Sequence, residues 1–386
     1  MLLICVVFVS VCSAGTDDIL SGRELLGVVR DSSPTRGEKL TTVTELLDKY
    51  AETQDKLQSS FIIRSENISR VNGSVYGGGL KANKLRINRS VELRTDGNRI
   101  SFRMIMHENE NSTTKASAKD KSSYMSSLWD GKCYSHYTSW YPQKLGDGKV
   151  SLGRVGDDSH KKGMIPIGYN GHEMLGIFCG DYERVDSVLH QADAIFVRDT
   201  TERIGDSDCY VIKAVVKNRG KYTVWIDPQY GYNIAKATIR RGENAILYDE
   251  APRKIRVEVF NSINNIRFKK IDNVWLPMEA DIVINRKWNN GDFAKIKQHH
   301  RFTEIIMHPD HDALGSFERD DIKNGAMVYI RGHNDSKGGP IEYTWRDGKV
   351  VDAQGQAIAW NEVHNEEKQK EVFGEPGKDE KKKDPK

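Results

Sequence analysis

The residues best suited to chemistry crowd one short stretch. "QHHRF" at 298–302 and "MHPDHDAL" at 307–314 bring His299, His300, His308, Asp310, His311 and Asp312 close together in the chain. Imidazole nitrogens and carboxylate oxygens are the ligands of zinc and other transition metals, and a metal held there would point to a metal-dependent hydrolase. The spacing argues against it. His299 and His300 are neighbours in a strand-like run, so their side chains leave opposite faces, and no His-Glu-x-x-His helix frames the second pair. The expectation is a polar loop at "HPDHD" and no metal site.

Other chemistry finds less support. Cys133 in "WDGKCYSHY" has His136 three positions away, which on a strand places the thiol and the imidazole on opposite faces. No Gly-x-Ser-x-Gly elbow occurs, and "YGGGLKAN" lacks the Lys-Ser/Thr ending of a phosphate-binding loop, so its glycines read as a bend in a curved sheet. No catalytic residue and no cofactor are expected, and the chain is read as a non-enzyme. Beyond the leader, Cys133, Cys179 and Cys209 leave open one disulfide with a spare thiol or three buried thiols. Asn-x-Ser/Thr triplets begin at Asn67, Asn72, Asn88, Asn111 and Asn334, a number that chance explains in a chain rich in Asn and Ser.

The elements that would position these residues follow from the segmentation. The chain has 386 residues, 38% hydrophobic and 29% charged, enough for a core under a very polar surface. Its 58 basic and 55 acidic residues nearly balance, so nothing in the charge calls for nucleic acid. The apolar run Leu2 to Val11, followed by "VCSAG", reads as a secretory signal cleaved after Ala14, since it is too short to span a membrane. Residues 15–37 read as a linker, 38–310 as the main domain, 311–360 as strands completing or extending its sheet, and 361–386 as a charged solvated tail.

Within the main domain, Val43, Leu46, Leu47 and Tyr50 recur at helical spacing behind the capping pair Thr42 and Glu45. "RSVELRTDGNRISFRMIM" reads as a hairpin around Asp96-Gly97, and residues 107–124 and 141–163 as long loops. A second helix is expected through "CGDYERVDSVLHQA", capped by Asp181. Strands then dominate. "CYVIKAVVK" puts Tyr210, Ile212, Ala214 and Val216 on one face, "KIRVEVF" does the same with Ile255, Val257 and Val259, and "VWLPMEADIVI" with Val274, Leu276, Met278, Ala280, Ile282 and Ile284. "KYTVWIDPQYGYNIAKATIRR" reads as two neighbouring strands joined by a turn at Asp227, Pro228 and Gly231. The class is α+β, with a strongly curved antiparallel sheet around a few helices.

This order of elements resembles the outer-membrane lipoprotein-sorting carriers, the LolA-like family, and their larger secreted members in planctomycete-type bacteria. The similarity is carried by "SSFIIRSENI", the "DGK" at Asp130 to Lys132 in "SLWDGKCYSHY", "VWIDPQYGYNIAKATI", "FKKIDNVWLPMEADI" and "IEYTWRDGKVVD". It implies a half-barrel over about residues 38–310 with an apolar hollow for acyl chains. The segment "GLKANKLRINR" offers Lys84, Arg86 and Arg89 but not the Arg-Pro of the carriers. The expected function is a secreted, periplasmic carrier that holds a lipid or an acylated protein non-covalently, lined by Tyr210, Ile212, Val257, Val259, Leu276, Met278 and Ile282. A dozen or so buried methylenes would contribute about 10 kcal/mol gross, so hydrophobic contact alone could hold such a ligand. The alternatives are an envelope structural or sensory protein that binds a protein partner through the same fold, and the metal-dependent hydrolase considered above.

Overall fold

The computed structural model describes residues 42–76, 80–108, 122–154, 171–247, 257–334 and 340–359. The expected signal, linker and charged tail lie outside these residues, as do the three glycines of "YGGGLKAN". The fold is α+β, as expected: a large curved antiparallel sheet with two α-helices among the described residues.

The first helix, α1 (Val43–Gln58), begins where its sequence says it should. Thr42 Oγ1 accepts the Glu45 backbone N–H at 3.1 Å, satisfying one of the donors that a helix start leaves free. Leu46, Leu47 and Tyr50 are buried along one stripe. Strands follow in a meander: β1 (Phe61–Tyr76), β2 (Leu80–Thr95), β3 (Ile100–Glu108), β4 (Ser122–Trp129), β5 (Cys133–Tyr141) and β6 (Lys149–Arg154). After a 3-10 turn (His172–Leu175) and the short helix α2 (Val185–His190) come β7 (Ala194–Val197), β8 (Glu202–Ile204), β9 (Ser207–Val216), β10 (Gly220–Asp227), β11 (Asn233–Arg241), β12 (Val257–Ile271), β13 (Val274–Trp288) and β14 (Phe293–Met307). The chain closes with β15 (Met327–Asn334), β16 (Pro340–Arg346), β17 (Lys349–Val351) and β18 (Ala357–Ile358).

These elements sort into two compact units. In the first, built mainly from α1 and residues 171–301, β9 through β14 pair in sequence order, all antiparallel, with β7 and β8 against β9. Register shifts at Trp225/Ile226 and between Asn264 and Phe268 mark bulges, which bend strands and add twist to a sheet. β14 alternates without fault from Phe293 to Phe302, odd positions exposed and even positions buried. In the second unit, β2 through β6 pair in order, β6 then runs parallel to β15, and β15 to β18 continue antiparallel. Its core joins Tyr124, Tyr137, Val150, Leu152, Val328, Ile330, Tyr343, Trp345 and Val350. The Asp96-Gly97 hairpin forms as expected: Asp96 Oδ1 accepts the Asn98 and Arg99 N–H groups at 3.0 and 2.6 Å, and Gly97 takes φ 82°.

One stretch read as loop is partly strand. β6 lies within 141–163, and Val150 and Leu152 are its buried members. Two apolar residues among Gly, Asp and Lys are too weak a period to see, and the pairing with β15, which lies far along the chain, makes the strand.

Candidate ligand-binding face

The apolar face of the first unit is set by cross-strand register. Residues paired across adjacent strands share a face. Ile226, Val224 and Tyr222 of β10 pair with Tyr210, Ile212 and Ala214 of β9, and Val224 and Tyr222 pair in turn with Ala237 and Ile239 of β11. Arg241, Ile239 and Ala237 of β11 face Val259, Asn261 and Ile263 of β12, which face Arg286, Ile284 and Ile282 of β13. Ile282 and Arg286 then pair with Gln298 and Ala294 of β14. The expected lining residues Tyr210, Ile212, Val257, Val259 and Ile282 therefore share one face, and Leu276 and Met278 keep the same parity along β13. Ile212, Val259, Leu276 and Ile282 are buried, while Tyr210, Val257 and Met278 are half-buried.

The "DPQYGY" turn anchors α1 to this sheet. Asp227 starts it, its Oδ1 accepting the Gln229 N–H at 2.8 Å and its carbonyl accepting the Tyr232 N–H at 2.8 Å, while Gly231 and Tyr232 both take left-handed φ. Three α1 side chains donate to it: Thr53 Oγ1 to the Gly231 carbonyl at 2.6 Å, Gln54 Nε2 to Asn233 Oδ1 at 2.8 Å, and Lys49 Nζ to the Tyr232 hydroxyl at 3.2 Å. The aromatic residues of this stretch belong to packing and docking.

Polar groups missed by the sequence reading share the same face. Arg241, Asn261, Arg286, Gln298 and His300 are all buried at inward positions. Their sequence signal was parity: each stands where the alternation of its strand calls for an apolar residue. From the covering layer, the 3-10 turn adds His172 and Glu173, also buried. A Cβ on Gly171 would stand 3.0 Å from His300 Nδ1, so that imidazole lies directly against the start of the turn. Neither ring nitrogen of His172 and neither carboxylate oxygen of Glu173 meets a hydrogen-bond partner in good geometry among the described residues. Burial pushes the Glu173 carboxyl up to about 7, against the pull of its own backbone N–H, Arg286 and Asn261. Burial likewise lowers His172 to about 4, so it is neutral at ordinary pH.

Cys179 ties this cluster to a second one. Its Sγ accepts from Arg286 Nη2 at 2.6 Å, its N–H donates to Asn261 Oδ1 at 3.3 Å, and its carbonyl accepts from Arg241 Nε at 3.0 Å. Arg241 Nη2 donates to Asp181 Oδ2 at 2.6 Å, and the Tyr222 hydroxyl reaches both Asp181 oxygens at 3.1 Å. Asp181 is thus not the cap of the second helix. The residue before α2 is Arg184, which makes no side-chain cap, and Asp181 turns inward because a buried guanidinium holds it there.

The histidine stretch separates as its strand pattern implies. His299 is exposed, with Nδ1 2.9 Å from Asp281 and Nε2 3.5 Å from Glu279, while His300 is buried on the other face. His308 and His311 belong to the second unit, where His311 is buried with Nε2 2.8 Å from the Thr95 carbonyl, in a stretch without strand or helix. Among the described residues, no group of three or more His, Cys, Asp or Glu is arranged to hold a metal ion. Cys133, Cys179 and Cys209 are buried free thiols. Cys133 and His136 follow the expected alternation, Cys133 buried and His136 half-buried, and His136 Nδ1 instead lies 2.9 Å from Ser127 Oγ across the strand pair. Burial lowers the His136 pKa.

No known family matches the sequence, and no curated protein matches it. Among solved structures the chain is similar to a domain named for outer membrane lipoprotein sorting from Vibrio parahaemolyticus, at 12% identity and a TM-score of 0.34, over 68% of this chain and 92% of that one. It is similar to lipovitellin at 10% identity and a TM-score of 0.20, spanning only 26% of that chain and 66% of this one. MucB in complex with MucA(peri) is similar at 10% identity and a TM-score of 0.18, over 72% of this chain and 96% of that one. At these scores the likenesses carry no weight on function. No helix among the described residues is long and apolar enough to cross a membrane, which says nothing of strands.

Proposed function

We propose that the chain is a secreted envelope protein of the periplasm that binds an acyl-bearing ligand, a lipid or an acylated protein, without catalysing its conversion. The observation that carries this reading is an apolar face spanning β9 to β14 beside buried polar groups of the 3-10 turn: among the described residues the nitrogens of His172 meet no hydrogen-bond partner and the Glu173 oxygens none in good geometry, Asn261 and Arg286 acting on that carboxyl only weakly. Buried polar atoms without partners cost about 1–3 kcal/mol each, so a polar ligand group that met them would gain from the contact. In this reading the ligand's hydrocarbon lies along Ile212, Val259, Leu276 and Ile282 beside Tyr210, Val257 and Met278, and its ester, amide or acid group meets Glu173 and His172.

The test is native mass spectrometry of the chain from residue 15 onward, followed by solvent extraction and lipid analysis. A stoichiometric acyl-containing adduct, lost on denaturation, is the expected result. Absence of an adduct together with no uptake of a fluorescent fatty acid would refute the reading. One observation favours a second reading. The chain's own atoms leave Ile212, Leu276 and Ile282 fully covered, as in a filled core, and a filled core fits an envelope protein that binds a protein partner on its surface.

A further inference from the structure

Three large apolar side chains are exposed close together in the chain of the second unit, two at the end of β5 and one in the loop that follows it. Trp140 is 54% exposed, Tyr141 39% and Leu145 79%, and they account for half of the exposed large hydrophobics among the described residues. The loop between β5 and β6, which bears Leu145, is held at its base. The Gly146 N–H donates to the Asn324 carbonyl at 2.8 Å, and the Asp147 N–H donates to the Lys144 carbonyl at 3.1 Å. The Tyr137 hydroxyl donates to the Asp147 carbonyl at 3.3 Å, and Asn324 Nδ2 donates to Asp347 Oδ1 at 2.7 Å. The exposure of Leu145 therefore belongs to an anchored turn, and that of Trp140 and Tyr141 to the paired strand end that leads into it. A protein of this kind ordinarily scatters its exposed apolar residues singly, and a cluster marks an interaction site.

The chemistry of the cluster selects its occupant. A tryptophan and a tyrosine carry a polar edge on an apolar ring, the combination that settles at the headgroup level of a bilayer. Leu145, the most exposed of the three, adds a purely aliphatic tip. Lys144 stands beside it in solvent and Lys149 follows at the start of β6, against the single acid Asp147, so the turn carries two positive charges and one negative. A projecting turn needs no matching concavity in its partner, and its lysines complement anionic headgroups. We propose that the β5–β6 turn docks the protein reversibly on a lipid surface containing anionic headgroups, with Trp140, Tyr141 and Leu145 in the interface and Lys144 and Lys149 against the phosphates. One small apolar element with a few charges gives weak, reversible attachment.

The test is flotation of the full chain with vesicles of phosphatidylcholine alone and of phosphatidylcholine with phosphatidylglycerol. The wild type should float with the mixed vesicles, less so at high salt. The double variant Trp140→Ala, Leu145→Asp should lose about tenfold or more of its vesicle affinity, and Lys144→Glu a smaller part, mostly on the mixed vesicles. All these side chains are exposed, so the variants should keep the wild-type melting temperature and circular dichroism. A wild type that floats with neither vesicle, or a double variant that floats as well as the wild type, overturns the proposal. Concentration-dependent dimerisation of the wild type, lost in the double variant and without vesicle binding, also overturns it and assigns the turn to a second copy of the chain. The turn variants leave the β9 to β14 face intact, so an acyl adduct in native mass spectrometry stands or falls separately.

Discussion

Replacing Glu173 with Gln should stabilise the protein above neutral pH while changing it little in mild acid. The carboxyl has an ordinary pKa of 4.5 in the unfolded chain, and burial raises it to about 7 in the fold. Below 4.5 both states hold the proton and the group is neutral in its effect. As pH rises from 4.5 to 7 the unfolded chain gives up its proton first, so stability falls, and the full loss is about 3.4 kcal/mol at 1.36 kcal/mol per pKa unit. Between pH 5 and pH 8.5 the difference comes to about 2.5 kcal/mol. Gln keeps the shape and cannot ionise, so its stability should not show this fall. His172 contributes with the opposite sign: its folded pKa of about 4 lies below the ordinary 6.5, so stability falls as pH drops through that window. Both chains carry that histidine, and its contribution drops out of the comparison. Urea denaturation at 25 °C of both chains, followed by circular dichroism across pH 5 to 8.5, reads the difference directly. Parallel stability curves would refute the reasoning, because they would mean that Glu173 ionises as an ordinary carboxylate and is solvated or paired.

Removing the guanidinium in Arg241→Met should cost about 3–5 kcal/mol, because Asp181 is left buried with its main partner gone, and Asp181→Asn in the same chain should recover part of that loss; chemical denaturation of both variants decides it. Gly176→Ala should destabilise by about 1–2 kcal/mol for its left-handed φ of 77° alone, and by more because the new Cβ would run into the Tyr50 hydroxyl; adding Tyr50→Phe should return part of the melting temperature. Ile282→Ala should cost about 2–5 kcal/mol as a core truncation, measured by denaturation, and should lower retention of any acyl adduct in native mass spectrometry.

What could be read from the sequence was what depends on neighbours in the chain. The cap of α1, the Asp96-Gly97 hairpin, the alternations of β9 and β13 and the turn at Asp227 each have their cause within a few residues, and each forms. The candidate site was legible only in its apolar half. Arg241, Asn261, Arg286 and His300 look like surface residues by type, yet their parity sends them inward, where residue type and position pull opposite ways. Asp181 had the right spacing for a cap, but Arg241, sixty residues on, supplies a stronger partner than a helix start can. β6 depends on β15, so no local period could announce it.

The hold of the 227–233 turn on α1 also orders events in folding. Sixteen residues make an isolated helix marginal in water, and the partners of Lys49, Thr53 and Gln54 lie 178 to 183 residues further along the chain. The hairpin of β10 and β11 closes locally and can form early, whereas α1 must cross a long loop before it gains anything from docking. α1 is made before the turn it docks on, so its docking waits on residues that follow it by 178 to 183 positions.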